Sequence, residues 1–356
     1  MQNETRARFK EYTARIAELN ALTDTSDVAS FSVDPTIQQT LETATQESSA
    51  FLQMVNIVPV DEQMGEALAL MVSGPIASRT DTTKGVKRGT VDPTGLKSNP
   101  YTCVKTNFDT RLPYAKLDAW AKFKDFQTRI RDTIVTRQGL DRILIGWNGL
   151  TAEANTDVTR NPLLQDVNIG WLQKIRANAP ERHLAKGALA EAKIYVGAGT
   201  EGTDVDYLNL DALATDAMQL LDPWAREDPN LVVICGSDLM HDKYFPIISK
   251  AGDTATEIVA RDQVLKSAKQ LGGKPAISVP YFPAGAMLIT TLADLSIYWQ
   301  NGTRRRAILD VPDEDCIKNF ESWNEAYVVE DYGFTALVEN IVMGKKAAAV
   351  AAVQEG

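Results

Sequence analysis

The strongest hydrophobic pattern in the chain lies between residues 114 and 147, where apolar side chains recur at steps of three or four. The residues that carry it are Leu117, Trp120, Phe123, Phe126, Ile130, Ile134, Ile143, Leu144 and Trp147. The spacing predicts one long helix of about 45–50 Å at 1.5 Å per residue. Gly139 is a candidate kink because glycine lowers helix stability, and Gly146 and Gly149 are candidate stop signals. A helix buried along one side in this way indicates a spine on which a sheet lies.

The N-terminus carries a shorter pattern of the same kind. Phe9, Tyr12, Ile16 and Leu19 recur at helical steps among charged residues, which predicts an amphipathic helix with a narrow apolar stripe. Residues 21–35 then break the pattern with small, polar and turn-forming side chains. This predicts an exposed linker, which is a favoured site for proteolysis. The alternative is a frayed terminal helix that packs on its own domain.

The remaining patterns alternate between helical and extended periods. Helices are predicted at 38–51, 166–178, 210–224, from 237 or 238 to 246, and at 257–271. Strands are predicted at 55–60, 194–196, 231–235, 276–279, 287–291, 296–299, 304–311, 320–329 and 334–342. The block from about 185 to 300 is typical of an α/β domain, and the tail 345–356 is of low complexity and predicted to be mobile.

One polar segment interrupts this order. Residues 73–111 hold seven Lys or Arg and three Asp, a net charge of +4, with many Gly, Pro and Thr. A segment so long and polar is unusual inside a compact domain and is normally functional or disordered. Alternation over 101–108 indicates a strand, so we predict an extended two-stranded loop that contacts another protein. Nucleic-acid binding is the weaker alternative, since the basic residues lack interleaved aromatics.

Composition narrows the class of protein. The net charge is −10, from 47 acidic and 37 basic residues, which disfavours a protein that wraps nucleic acid. Cys103, Cys235 and Cys316 are few, distant and odd in number, which is typical of a reducing cytoplasm. Neither a signal peptide nor an apolar run long enough to span a membrane is visible.

The sequence offers little catalytic chemistry. His183 and His241 are not spaced as metal ligands, and we predict neither a metal site nor a cofactor nor a catalytic residue. Gly197–Gly202 matches the G-x-G-x-x-G dinucleotide pattern, but no helix is predicted to open within it, as that fingerprint requires. A turn-rich connection is therefore favoured there. The alternative that the chain is a nucleotide-dependent enzyme is supported by this motif alone.

Residues 310–331 form an acidic stretch with eight Asp or Glu against Lys318, a net charge of −7. A solvated face is the ordinary interpretation, and the spacing does not fit an EF-hand loop. A third interpretation is that the basic segment 73–111 of one subunit lies on this stretch in a neighbour, since complementary patches set register and partner choice.

A series of segments, in one order along almost the whole chain, resembles the major capsid proteins of P2-like tailed phages. They are Gln46–Ser49, Phe51–Leu52, Asn56–Val60, Lys116–Asp118, Asp125–Gln127, Asn161–Pro162, Leu164–Asp166, Gly170–Lys174, Glu227–Pro229, Asp242–Pro246, Val279–Pro283, Met287–Thr290, Leu295–Tyr298 and Tyr327–Tyr332. None is a catalytic motif, so the resemblance implies a structural protein and not an enzyme.

The resemblance implies an α+β chain with the HK97-like capsid fold. Mapped onto this sequence, the parts of that fold are an N-terminal arm at 1–35 and its continuation into the peripheral domain at 36–72. An extended E-loop follows at 73–111 and a peripheral domain with the spine helix at 112–184. The last parts are an axial α/β domain at 185–302, peripheral strands at 303–344 and the tail at 345–356.

The same resemblance implies the biology. Hexamers and pentamers would close an icosahedral shell in the host cytoplasm, around a scaffolding protein that is also a protease, with a portal at one vertex and double-stranded DNA inside. It implies removal of the arm, which we place near Ser30, Phe31 and Ser32, and an intersubunit loop that includes Lys84, Lys87 and Arg88. Lysine–asparagine crosslinking, known in some relatives, is not indicated by any spacing here. A subunit of a bacterial nanocompartment, which can share the fold, is the alternative.

Overall fold

The computed structural model describes residues 1–72, 77–85, 87–90, 94–190, 192–249 and 269–346. Within these ranges the α-helices are α1 (Asn3–Leu19), α2 (Pro35–Glu47), α3 (Tyr114–Trp120), α4 (Phe126–Asn148), α5 (Trp171–Asn178), α6 (Leu210–Ala217) and α7 (Ser237–Ser249).

The strands within the same ranges fall into two large and two small sheets. They are β1 (Phe31–Ser32), β2 (Asn56–Val60), β3 (Met64–Val72), β4 (Thr94–Thr102), β5 (Val104–Asn107), β6 (Thr110–Pro113), β7 (His183–Leu184), β8 (Ile194–Val196), β9 (Leu231–Cys235), β10 (Gln270–Leu271), β11 (Lys274–Ile277), β12 (Met287–Thr291), β13 (Leu295–Gln300), β14 (Arg305–Val311), β15 (Cys316–Val329), β16 (Ala336–Val338) and β17 (Ile341–Met343).

The first sheet is built around the long strand β15. Its order is β1-β14-β15-β13-β2, and β5 and β6 also pair with β15. β14 pairs with the first half of β15, and β13 with the second half. Residues 295–300, which the sequence places in the axial domain, therefore form β13 in this sheet.

The second sheet has the order β10-β11-β9-β12-β16-β7 and mixes parallel with antiparallel pairs. A core of Leu213, Ala214 and Leu231, among others, lies between this sheet and α6. Alternating helices and strands in this part confirm the predicted α/β character. Two small sheets, β8-β17 and β3-β4, complete the strands.

The predicted spine helix is divided in the structure. α3 ends at Trp120 and α4 begins at Phe126, so the longer of these two helices has 23 residues, about 35 Å at 1.5 Å each. Gly139 lies within α4, where α2 packs closely: a Cβ there would lie 2.5 Å from Ser48 Oγ. The absence of a side chain at Gly139 thus lets the two helices approach each other closely.

The end of α4 confirms the predicted stop at Gly149, whereas the other candidate stop, Gly146, lies inside the helix. A Cβ on Gly146 would collide with the ring of Trp171, and one on Gly170 would lie 2.5 Å from the Gly146 carbonyl oxygen. Small residues therefore let α4 and α5 meet. Trp147 and Trp171 lie 4.9 Å apart between ring centroids, in a core that also contains Leu288 from the second sheet. This core joins the two large sheets.

Several element boundaries differ from the predictions. α5 begins at Trp171 and not at 166, and α6 ends at Ala217, followed by a 3-10 turn over Met218–Leu220. The predicted helix 257–271 is wrong at its last two residues, which form β10, and its residues 257–268 lie outside the described ranges. Gly272 and Gly273 form the β10–β11 turn with φ of 56° and 78°, a conformation that favours glycine.

Two further predicted elements extend differently. α7 continues through Pro246 to Ser249, and the predicted strand 334–342 is divided into β16 and β17. Asn340 lies between these strands with a φ of 60°, which interrupts the extended backbone.

Candidate assembly surfaces

The long β-hairpin of β3 and β4 is the first candidate surface. The strands pair over nine positions, from Met64–Thr102 to Val72–Thr94. Within the described residues they pair with no other strand. The hairpin therefore begins earlier than predicted, at residue 64, while 104–113 form β5 and β6 in the first sheet.

The base of the hairpin is fixed to the first sheet. Tyr101 packs edge-on against Tyr298 with ring centroids 5.0 Å apart. The Asn99 side chain donates to the carbonyl of Glu330 at 2.9 Å, and the Cys103 amide donates to the carbonyl of Gln63 at 2.7 Å. These contacts set the direction in which the strands leave the body.

The predicted loop residues lie at the far end of this hairpin. Lys84 ends a 3-10 turn that begins at Thr82, and Gly85 follows with a φ of 75°. Lys87 and Arg88 are exposed. Residues 73–76, 86 and 91–93 lie outside the described ranges. The structure thus places these cations at the end of the hairpin remote from its base.

The acidic stretch 310–331 is not the single solvated face that its charge suggests. Glu321 and Glu325 are 3% and 0% exposed and face buried arginines. Glu330 accepts a hydrogen bond from the Tyr298 hydroxyl at 2.9 Å, and Asp331 caps a turn through the Gly333 amide at 2.8 Å. The solvated-face interpretation is wrong for this half of the stretch.

Apart from Asp310 of β14, the exposed acidic residues of this stretch are at the turn between β14 and β15. Asp313, Glu314 and Asp315 are exposed, and Asp315 has a φ of 51°, which tightens the turn. Glu314 already contacts Lys318 and, at 4.0 Å, Arg111. The acidic surface is therefore a small turn with a negative end.

A buried ionic network lies behind the first sheet and was not predicted. Glu42 of α2 contacts Arg142 of α4 at 2.6 Å and Arg304, just before β14, at 2.9 Å. Arg142 also contacts Glu325 at 2.9 Å, and Arg304 contacts Glu321 at 2.6 Å. All five side chains are at most 5% exposed. One carboxylate of α2 therefore bridges two buried arginines.

Electrostatics and packing hold the network together. Burial opposes the charge on Arg142, but Glu42 and Glu325 outweigh it and raise the pKa of that guanidinium. Burial likewise acts to raise the pKa of Glu321, yet neighbouring arginines lower it. The Arg142 and Arg304 guanidinium carbons lie 5.1 Å and 4.4 Å from the Trp323 ring centroid. Each buried arginine of the network thus faces two carboxylates, although Arg142 Nη2 has no hydrogen-bond partner.

The proposed processing region is paired in the full-length chain. Phe31 and Ser32 form β1 against Arg306 and Arg305 of β14. Phe31 is buried, whereas Ser30 and Ser32 are exposed. Most of the predicted linker is exposed, including residues 23–27, but a protease would need to displace β1 from the sheet edge to cut at Phe31 or Ser32. The helix before it packs on its own domain, as the alternative interpretation predicts.

Both histidines and two of the three cysteines make contacts of a structural kind. His183 Nε2 lies 2.8 Å from Glu339 Oε2 at the second sheet, and His241 stacks on Phe245 with centroids 4.6 Å apart. Cys103 and Cys235 are fully buried, and burial raises the pKa of their thiols to about 11 and 12. These cysteines behave as small apolar side chains.

The glycine-rich motif forms a turn. β8 ends at Val196, and Gly202 has a φ of 77°. The Thr200 amide donates to the Asp204 carboxylate at 3.2 Å, so a carboxylate occupies the place that a phosphate would need. α6 begins only at Leu210. The turn-rich interpretation of Gly197–Gly202 is confirmed.

In the part of the chain that the structure describes, no group of three or more His, Cys, Asp or Glu could hold a metal ion. Among the described residues, no helix is long and apolar enough to cross a membrane.

Comparison with known proteins gives a consistent result. The model of the family described as phage major capsid protein, P2 family, matches residues 8–341. The chain is 47% identical over 346 residues to a protein of Escherichia phage P2 named "Capsid proteins", covering 97% of this chain and 96% of that protein. It is 36% identical to the major capsid protein of Serratia phage KSP20, covering 97% of this chain and 99% of that one.

A solved structure agrees over the same length. A chain of the satellite phage P4 procapsid, determined with its size determination protein, superposes with a TM-score of 0.76 at 44% identity. The match covers 97% of this chain and 99% of that chain. The fold is HK97-like, and the subunit is a structural component of a virion shell and not an enzyme. The chain belongs to the P2 family of phage major capsid proteins.

Proposed function

We propose that this capsid subunit assembles as hexamers and pentamers into an icosahedral shell that encloses double-stranded DNA. Family membership over residues 8–341 supports the shell itself. The observation that carries the intersubunit part is the β3–β4 hairpin, which pairs with no other described strand and ends in exposed cations. Its base contacts fix its direction, so it can reach a neighbour at a defined angle. Closed symmetry multiplies such modest contacts into a stable particle.

The contact that we propose for the hairpin end is the acidic turn of a neighbouring subunit. Lys84, Lys87 and Arg88 carry three positive charges, and Asp313 and Asp315 present exposed carboxylates on the β14–β15 turn. Charge pairs at a rim mainly set orientation and partner choice, with little gain in affinity. These charge pairs would thereby fix the position of the hairpin end on the neighbouring subunit.

Membership of the family also supports the proposal that the shell has three partners. They are a scaffolding protein that is also the maturation protease, a portal protein at one vertex, and DNA held without sequence-specific binding. The net charge of −10 is compatible with a shell that encloses DNA and does not grip it. Removal of the arm near Ser30, Phe31 and Ser32 completes the proposal. An intact N-terminus in mature particles would contradict that last part.

The experiment is light scattering on the purified full-length chain over a concentration series, with negative-stain images of each fraction. Closed particles or rings of five and six are expected. A strict monomer at every concentration would contradict self-assembly and point to an obligatory scaffold. Particles recovered from infected cells should hold nuclease-resistant DNA, whereas cargo protein without DNA would favour a nanocompartment. Denaturing gels of mature particles should show monomer bands only, because no crosslinking is expected.

A further inference from the structure

Helix α1 fills an apolar groove whose walls come from later parts of the chain. Its side chains Phe9, Tyr12 and Ile16 retain 9%, 8% and 6% of their exposed surface. The walls are formed by buried residues of β6, α3, α4, β14 and β15. They are Leu112, Tyr114, Leu117, Phe126, Ile130, Ile134, Ile308 and Ile317. The three anchors follow the i, i+3, i+7 spacing of helices that bind in grooves.

Two polar contacts orient α1 in this groove. The Arg306 guanidinium donates to the Tyr12 hydroxyl at 3.0 Å, and the Gln2 amide donates to the Asp118 carboxylate at 3.0 Å. Arg306 also donates to Asn319 at 2.7 Å, so its position does not depend on Tyr12. The groove side of the contact is therefore held by the body of the protein.

The next helix is attached by a different chemistry. α2 is fixed through the buried Glu42 and through Gln38, whose side-chain oxygen accepts from the Gly302 amide at 3.2 Å. Asp34 caps α2 through the Thr36 amide at 2.8 Å, and its own amide donates to the Asn20 side chain at the end of α1 at 3.1 Å. A cavity of about 340 Å³ lies between α1, α2 and α4, and Ile37 and Leu41 of α2 also pack against the core that buries α1. The polar attachment of α2 at Gln38 and Glu42 does not involve α1.

We propose that the groove is a helix-binding site and that residues 1–30 are its tethered ligand, which stays bound after the backbone is cut between 30 and 32. The proposal rests on the proposed function only for the position of the cut. After cutting, the anchors Phe9, Tyr12 and Ile16 hold the peptide, while Glu42 holds the new N-terminal helix. The arm would then leave only when another amphipathic helix or a change of the groove displaces it.

The test uses the full-length chain with a site-specific protease sequence inserted after Ser30. After the cut, size-exclusion chromatography and mass spectrometry should find the peptide with the body at one to one. Free peptide beside a body that circular dichroism shows to be folded would overturn the proposal, and so would an aggregated body with free peptide. Because the cut is imposed in solution, neither result depends on shell assembly or natural processing.

A competition assay measures the anchors. A labelled synthetic peptide of residues 1–30 is exchanged into the cut protein against unlabelled variants. The Tyr12→Ala, Ile16→Ala double variant should compete at least tenfold less well. The matched control is Lys10→Ala with Glu11→Ala, two exposed positions on the same helix, which should compete within threefold of the original peptide. Equal competition by both variants would exclude the groove as the binding site.

Discussion

The buried network around Glu42 and the exposed end of the β3–β4 hairpin use the same kinds of charged residue for opposite purposes. In the network every charge is desolvated and faces an opposite charge at 2.6–2.9 Å. At the hairpin end, Lys87 and Arg88 lie in water. Removing one partner of a buried pair leaves an uncompensated charge, whereas an exposed charge contributes little to stability. We therefore expect changes in the network to alter the stability of the subunit, and changes at the hairpin end to alter the contact that we propose with a neighbouring subunit.

The largest expected effect is at Glu42. Glu42→Ala should lower the free energy of unfolding by about 3–5 kcal/mol, because Arg142 and Arg304 each lose a buried partner. Glu42→Gln keeps an acceptor oxygen and should cost less. Urea denaturation followed by circular dichroism measures both variants. Glu47→Ala, an exposed glutamate on the same helix, is the control and should stay within about 0.5 kcal/mol of the original protein. An equal loss in both alanine variants would mean that α2 is not held by this network.

The network also shows what sequence reasoning could not reach. Glu42 lies 100 residues from Arg142 and 262 from Arg304, and Gln138 lies 183 from Glu321, to which it donates at 2.9 Å. No local pattern links positions so far apart. The spine helix and most strands could be predicted, since periodicity reports which face of an element is buried. The break between α3 and α4 could not, because the apolar steps continue through Phe123, which is in fact 46% exposed.

The net charge of residues 310–331 predicted a solvated face wrongly for half of the stretch, again because distant residues decide which side chains are buried. Alternation along β15 places Glu321, Trp323 and Glu325 on the buried face, where arginines from α4 and from the residue before β14 meet them. A sum over the sequence treats these glutamates like the exposed Asp313. The useful signal was the alternation itself, which marks both glutamates as inward-facing once β15 is assigned as a strand.

A smaller effect is expected at Glu339, a partly buried carboxylate outside the network. Burial acts to raise its pKa, but hydrogen bonds from Arg176 and His183 lower the pKa from 4.5 to about 2. A depressed folded-state pKa stabilises the protein above the unfolded value, and this contribution is lost as pH falls from about 4.5 towards 2. Glu339→Gln should therefore cost about 2 kcal/mol at pH 6, after allowance for partial exposure.

The measurement is the urea midpoint of both proteins at pH 6, 4 and 3. The gap between them should narrow as pH falls. Glu181→Gln, a change at an exposed glutamate that contacts Arg182 at 3.7 Å, is the control and should show a small gap at every pH. A gap for Glu339→Gln that does not change with pH would show that the carboxylate acts through packing alone.

The smallest expected effect on stability is at the hairpin end. The triple variant Lys84→Glu, Lys87→Glu, Arg88→Glu should change the free energy of unfolding by no more than about 0.5 kcal/mol, because surface substitutions rarely do more. Shell yield, scored by light scattering and negative-stain images, should nevertheless fall, since the reversed charges repel the acidic turn of the neighbour. Lys116→Glu, Lys122→Glu, Lys124→Glu makes the same change of net charge on exposed residues elsewhere. It is the matched control and should assemble normally.

Rescue then identifies the partner surface. Asp313→Lys with Glu314→Lys, added to the hairpin triple variant, restores opposite charges across the proposed contact and should recover shells. These positions avoid Asp315, whose φ of 51° a lysine would adopt only with strain. Normal shells from the triple variant alone would show that the hairpin charges are dispensable. Lost assembly without rescue would retain the hairpin as an intersubunit element but place its partner away from the β14–β15 turn.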